Sequence, residues 1–359
     1  MAPQEPRAGE ALAAAPAAGG RTVWRRLLAR RAVLAAGLVI ALLALIAAAA
    51  PLLSAIEGQD PTSYHNDLLD SAAGGVPTGS FGGVSAEHWL GVEPGTGRDV
   101  FARLVHGARI SLLVAVGATL VQVTIGVLLG LAAGLGSRLL DQLIGNTTEV
   151  MLALPSLVFA ISLMAVVPSD FPRPLLLTLV IGLLGWAGTA RLVRAQTLSL
   201  RQLDYVAAAR LAGATRWRIA RRELLPSLAA PVITYAAVLL PSNVIAEAGL
   251  SFLGVGVKPP TSSWGQMLSG ATTWFRADPT YVLLPSALLF ATVLAFTVLG
   301  DAVRTELDPR AASRLRVGTA RGAGSSGSGS SGSASSGSGS SDSASPGPSA
   351  ATAAEEAPA

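Results

Sequence analysis

Six stretches of this chain, residues 32–53, 110–137, 150–169, 174–190, 224–246 and 279–300, contain no Asp, Glu, Lys or Arg. Each is close to or above the roughly 20 residues that a helix needs to cross a hydrocarbon core about 30 Å thick. Lipid leaves no partner for unpaired amides, so only helices or closed barrels can occupy such stretches. The pattern predicts an all-α membrane protein with six transmembrane helices. Composition agrees: 51% of residues are hydrophobic, 13% are charged, and mean hydropathy is +0.53. That balance excludes a wholly disordered chain, a coiled coil and an ordinary soluble enzyme. The absence of cysteine excludes disulfides, iron–sulfur clusters, thiolate zinc and a cysteine nucleophile. Net charge +4 and a pI near 10.1 suit nucleic acid in the abstract. The basic residues, however, are Arg beside apolar runs, which points to a lipid bilayer and not to nucleic acid.

Orientation follows from where the cations fall. With residues 1–31 placed in the cytoplasm, 20 of the 26 Lys and Arg residues lie on the cytoplasmic side of the six spans. This satisfies the positive-inside rule and predicts that both termini are cytoplasmic. The first stretch follows Arg25, Arg26, Arg30 and Arg31 and could pass for a secretory signal. Its 22 uncharged residues exceed the usual apolar region of such signals, so it reads as an uncleaved first helix. The organisation is then a basic N-tail at 1–31, a first helix at 32–53 and an outer loop at 54–109. A five-helix core at 110–306 contains a cytoplasmic loop at 199–226, and a basic end at 307–321 precedes a Gly/Ser-rich tail at 322–359. That tail has too little apolar area to offset the entropy of ordering and is predicted to be unstructured, as a dispensable extension or a tether.

The cytoplasmic loop is the most informative segment. Leu203–Leu211 reads as a short helix whose Ala207, Ala208 and Ala209 give a small-residue surface. Gly213 supplies the backbone freedom for a sharp turn. Thr215 is placed to cap a second helix running to Leu225, with Pro226 opening the next span. Arg216 and Arg218 fall in the first turn of that second helix, where the macrodipole disfavours cations. Contact with anionic headgroups and docking of a soluble partner both account for them.

Ala208-Ala209, Gly213 and Leu225-Pro226 match the spacing of the EAA loop of ABC-importer permeases, E-A-A-x3-G-x9-I-x-L-P. Ala207 stands where Glu is usual, and Glu223 where Ile is common. The blocks GTGRDVFARLVHGARISL at 95–112, DYVAAARLAGAT at 204–215, AEAGLSFLGVGVKPPTSSWGQML at 246–268 and LGDAVRTELDPR at 299–310 resemble the dipeptide/oligopeptide/nickel branch of that family. The resemblance covers about residues 25–315. It implies a type I ABC importer permease fold in the bacterial plasma membrane. It also implies pairing with a second, homologous permease, two ATP-binding subunits and an extracytoplasmic substrate-binding protein. The 203–225 loop is then the coupling element: Ala207, Ala208 and Ala209 allow close approach of the ATPase, Arg210 and Arg216 supply polar contacts, Gly213 is the corner, and Leu225 and Pro226 join the loop to span five.

The chain lacks G-x-x-x-x-G-K-[ST], so ATP and Mg are expected on partner subunits and no cofactor on this chain. No catalytic constellation is apparent; GLSFLG lacks the G-x-S-x-G spacing. Asn243 in the fifth span and Glu247 at its outer end are candidates for the translocation pathway or its gate, with a structural role for Glu247 the alternative. His65, His88 and His106 are spread without ligand spacing and read as isolated loop histidines, with no metal site. Trp264 and Trp274 read as interfacial anchors. The glycines of 126–136 read as helix-packing positions. A non-transporting membrane scaffold and an ion-driven secondary carrier are the competing functions. The first leaves the loop spacing unexplained, and the second calls for intramembrane acids beyond Glu247.

Overall fold

A computed structural model describes residues 30–168 and 170–307, and these are mostly helical. The basic N-tail up to residue 29, the segment from 308 and the Gly/Ser-rich tail lie outside the described residues. The first apolar stretch forms α1 (Arg31–Ala48) and, after a break at Ala49, α2 (Ala50–Glu57). Pro51 sits in the first turn of α2, and Gly58 at φ +85° ends it. The outer segment that follows carries a short 3-10 turn at Asn66–Leu68 and a small hairpin of β1 (Leu69–Asp70) and β2 (Val76–Pro77), in register Leu69↔Pro77.

All but the last two residues of the second stretch lie within α3 (Val100–Leu135), which starts ten residues before the uncharged run does. Asp99 caps it by accepting from the Ala102 amide at 2.7 Å. At 1.5 Å per residue the 36-residue helix is about 54 Å long, well over a bilayer core. Its polar first turns pack on the outer segment instead of meeting lipid.

The third stretch differs from expectation. Residues 150–169 do not form one helix; the chain runs as α4 (Arg138–Ala153) and α5 (Ser156–Val166), bent by 90°. The cause is Pro155. Its ring bars Leu154 from the helical region, and Leu154 is extended at ψ 135°. The 11 residues of α5 span only about 16 Å, too little to cross alone.

The remaining elements are α6 (Arg173–Leu200), α7 (Asp204–Leu211), α8 (Arg216–Ile219), α9 (Leu225–Phe252), α10 (Trp264–Ala271) and α11 (Pro279–Leu307). Five of the helices are long and apolar enough to span a bilayer, or six if α4–α5 counts as one bent span. The helix begun at Arg216 does not stop at Leu225: a wide π turn at Ala220–Leu224 carries it into α9. Pro226 lacks the N–H for the bond back to Arg222, and the wider turn accommodates that loss.

The tightest helix pair is α3 on α6. A Cβ built on Gly126, Gly130 or Gly134 would lie 2.4, 2.7 and 2.4 Å from Thr189, Val193 and Thr197 respectively. Both series rise by four, so one face of each helix meets the other and the two run parallel. The packing role expected of these glycines is what the structure shows. Trp264, expected at an interface, is instead wholly buried and donates from Nε1 to the Leu104 carbonyl at 3.2 Å. It anchors α10 in a core with Leu104, Ala108, Met267 and Tyr281.

Candidate functional site

At the end of α6 the chain turns through Arg201 and enters α7 from an extended Leu203. Asp204 in the first turn and Arg210 in the last both complement the helix dipole. The Ala214 amide donates to the Ala209 carbonyl and the Gly213 amide to the Arg210 carbonyl, each at 3.0 Å. This pair of bonds is a Schellman end, and it places Gly213 at φ +79°. Nothing lies within 4 Å of where a Cβ would stand, so the glycine is required by conformation alone. Thr215 then caps α8, accepting from the Arg218 amide at 3.3 Å.

The elbow so formed has two faces. Val206, Ile219, Leu224 and Leu228 are buried with Val193 of α6, against Val127, Leu131 and Leu135 of α3. Ala207, Ala208, Arg210, Gly213 and Arg216 are exposed, as are Leu225 and Pro226, while Ala209 is half-buried toward the core. Two apolar side chains stand out on the open face: Leu211 is 91% exposed and Trp217 71% exposed. The motif reading passed over both. Helical phase holds the signal for the first: with Val206 inward, Leu211 points about 140° away at 100° per residue.

Asn243 lies in α9, buried, within an amide and hydroxyl cluster. Its Nδ2 donates to Thr119 Oγ1 at 2.8 Å and to Gln122 Oε1 at 3.0 Å. Gln122 Nε2 returns a bond to Asn243 Oδ1 and donates to the Ile181 carbonyl, both at 3.1 Å. Three helices are thereby tied at one level. The same two residues line a cavity of about 370 Å³ together with Ser156, Gly188, Tyr235 and Ser242. Gln122, which the sequence does not mark, is thus as central to this cluster as Asn243. Glu247, one turn on, is fully buried and accepts from Ser251 Oγ at 2.8 Å, with the hydroxyls of Ser111 and Ser263 beside it. It joins α9 to α3 and to the N-cap of α10.

A third polar cluster fastens the outer segment to the bundle. Arg98 Nε donates to Glu93 Oε2 at 2.6 Å, Arg103 Nε lies 3.6 Å from the same oxygen, and Tyr281 donates to Glu93 Oε1. Burial pushes the Glu93 carboxyl up, but Arg103, Tyr281, Thr96 and Arg98 together outweigh it and hold the group below the usual carboxylate value. The histidines are not all isolated. His65 and His88 meet edge to face with ring centroids 4.9 Å apart, and His88 Nδ1 lies 2.8 Å from Asp99 Oδ2. His106 stands apart, 3.3 Å from Ser54 Oγ. Among the described residues no group of three or more His, Asp or Glu is arranged to hold a metal. Glu57 accepts from the Trp89 amide at 2.9 Å, and its carboxyl is pushed up to about 7, chiefly by desolvation and further by nearby Asp99.

A bundle of long apolar helices with a capped elbow exposed at one end defines the class: a multi-pass membrane protein. Residues 126–313 match the family model of binding-protein-dependent transport system inner membrane components, and residues 20–70 match the N-terminal TM domain of oligopeptide transport permease C. The chain belongs to this family of inner-membrane transport components, and it is a permease subunit of a bacterial ABC transporter. It is 36% identical over 290 residues to the glutathione transport system permease protein GsiD of Pectobacterium atrosepticum, covering 81% of this chain and 91% of that one. It is 36% identical over 234 residues to the dipeptide transport system permease protein DppC of Alkalihalophilus pseudofirmus, covering 65% of this chain and 76% of the relative. With the DppC of Bacillus subtilis the identity is 38% over 229 residues, covering 63% of this chain and 70% of the relative.

Proposed function

We propose that this permease imports small peptides or a related small solute. In this reading six spans surround half of a pathway completed by a second, homologous permease. Two ATP-binding subunits carry ATP and Mg on the cytoplasmic face, and an extracytoplasmic binding protein delivers solute. The relatives named above transport dipeptides or glutathione, which favours this substrate class over nickel and disfavours the scaffold and ion-driven carrier readings.

Two observations support six crossings with both termini cytoplasmic. Because α3 and α6 run parallel, the intervening α4–α5 pair has to return the chain across the membrane. Arg30 at the start of α1 reaches Glu306 near the end of α11 at 3.3 Å, as an even number of crossings requires.

The observation that carries the mechanism is the two-faced elbow. Its inner face is packed on the ends of α3 and α6, and its outer face leaves Leu211 and Trp217 exposed. Large apolar side chains displayed on a rigid helical corner mark a protein interface better than a headgroup contact. Closing of the ATPases would push on Ala207, Ala208, Arg210 and Arg216. The continuous helix through Leu225 and Pro226 would pass that push to Asn243, Glu247 and the cavity beside Gln122. Glu247 acts here by holding α9 to α3 and α10.

The chain has no cysteine, so a single Trp217→Cys substitution gives an unambiguous crosslinking site. In the assembled complex it should crosslink to an ATPase subunit, with a yield that changes between nucleotide-free and ATP-bound states. Crosslinks to lipid alone during active uptake would defeat the reading.

A further inference from the structure

We propose that a cleft between the end of α3 and the elbow binds a phosphate group. The cleft measures about 420 Å³, and Gly134 and Leu135 of α3, with Gly136 just beyond it, form one wall. Arg201, Arg210 and Arg216 form the other, and no acidic residue lines it. Arg201 is half-buried, and its guanidinium is pinned by one bond from Nη1 to the Gly134 carbonyl at 2.9 Å. That bond leaves the remaining N–H groups of the fork uncommitted.

Asp141, whose charge also acts on Arg201, is bonded elsewhere. Asp141 is held by both arms of Arg194, with Nη2 to Oδ2 at 2.9 Å. Arg210 and Arg216 make no ion pair among the described residues. Arg216 also stands in the first turn of α8, where its charge opposes the helix dipole, so helix stability does not explain its placement. Three cations converging on one cleft repel one another unless an anion lies between them. Guanidinium forks match the paired oxygens of a phosphate, which is the anion this arrangement fits.

The source of the phosphate follows from position. The cleft opens at the ends of two membrane-length helices, α3 and α6, where phospholipid headgroups lie. Free inorganic phosphate offers the same chemistry from solution. Bound there, the group would brace the elbow against α3 without covering Leu211 or Trp217. The inference rests on the elbow facing the cytoplasm and adds to it a second ligand distinct from the ATPase.

The test uses the full complex in nanodiscs of phosphatidylcholine, with or without phosphatidylglycerol, and counts retained phosphatidylglycerol by native mass spectrometry. Arg201→Gln should lower retention about tenfold, the loss expected for one charged hydrogen bond. Arg221→Gln, outside the cleft, should leave it unchanged. In a second arm inorganic phosphate is titrated into phosphatidylcholine discs. Saturable binding that Arg201→Gln abolishes assigns the site to soluble phosphate, and its absence beside retained phosphatidylglycerol assigns it to lipid. Arg210→Gln, on an exposed side chain, serves as the variant that cannot fail by misfolding. If Arg201→Gln and Arg210→Gln both hold either probe as wild type does, the proposal is overturned. ATPase co-purification, followed on the wild-type and Arg201→Gln samples, reports on coupling independently: an Arg201→Gln complex that loses lipid yet keeps its ATPase supports this site, whereas a wild-type complex that never holds an ATPase defeats only the coupling reading.

Discussion

Substitution of Gly213 tests whether the corner of the elbow matters as a shape. The residue sits at φ +79° with open space around it, so a new side chain meets no neighbour and pays only for its backbone. For an L-residue in the left-handed region that cost is roughly 1–2 kcal/mol. Relaxing the turn instead would forfeit the two bonds at Gly213 and Ala214, together worth about 2 kcal/mol, and would pull Ala209 and Ala214 from the core. The two routes cost nearly the same for alanine, so Gly213→Ala should keep the elbow under strain and lose transport a few-fold. Valine, branched at Cβ, is a far poorer fit to positive φ and should tip the balance toward a rearranged corner. Asparagine tolerates the left-handed region and should stay close to wild type. The assay is ATP-dependent uptake by reconstituted proteoliposomes, with solute-stimulated ATPase activity measured in parallel and membrane insertion checked for each variant. Uptake by Gly213→Val equal to wild type, or an asparagine variant as inactive as valine, would refute the argument.

Three further outcomes are expected. Gly130→Ala puts a methyl 2.7 Å from Val193 Cβ and 2.8 Å from the Ala190 carbonyl, so it should destabilise the α3–α6 pair by about 1–3 kcal/mol; Gly145→Ala, with nothing within 4 Å, should leave the thermal midpoint unchanged or slightly higher. Glu93→Gln strips the buried partner of Arg98 and Arg103 and should cost about 3–5 kcal/mol, read as early melting; an unchanged midpoint would show that these cations find another counter-charge. Glu57 has its carboxyl raised from 4.5 to about 7 by burial, so its proton stabilises the folded outer segment fully below pH 4.5, and that contribution fades as pH rises through 7. Glu57→Gln should flatten that part of the melting-temperature profile, and a profile of the same slope would show that another group is responsible.

Five of the six charge-free runs coincide with a helix long and apolar enough to span a bilayer, and in the other the backbone bends. Hydropathy alone counted 150–169 as one crossing, yet Pro155 within it bends the chain by 90°. The Gly/Thr seam between α3 and α6 was half visible: the spacing of Gly126, Gly130 and Gly134 is in the sequence, but their partners on α6 are not. Trp264 was misplaced because a tryptophan in a polar outer segment resembles an interfacial anchor until Leu104 is seen to accept its N–H. The pairing of His65 with His88 had no signal in the spacing.

What the sequence determined by itself is whatever depends on neighbours along the chain. Apolar length demands helices in lipid, Thr215 and Gly213 set the ends of two short helices, and the loop's residue spacing carries the resemblance to the permease family that the family model matches. Tertiary structure decided what depends on distant segments meeting. It turned Leu211 and Trp217 outward, joined Gln122 to Asn243 across three helices, enclosed Glu247 among serines, and drew Arg201, Arg210 and Arg216 around one cleft. Local signals act over a turn or two of backbone, whereas side-chain burial and charge pairing are fixed only when separate helices pack.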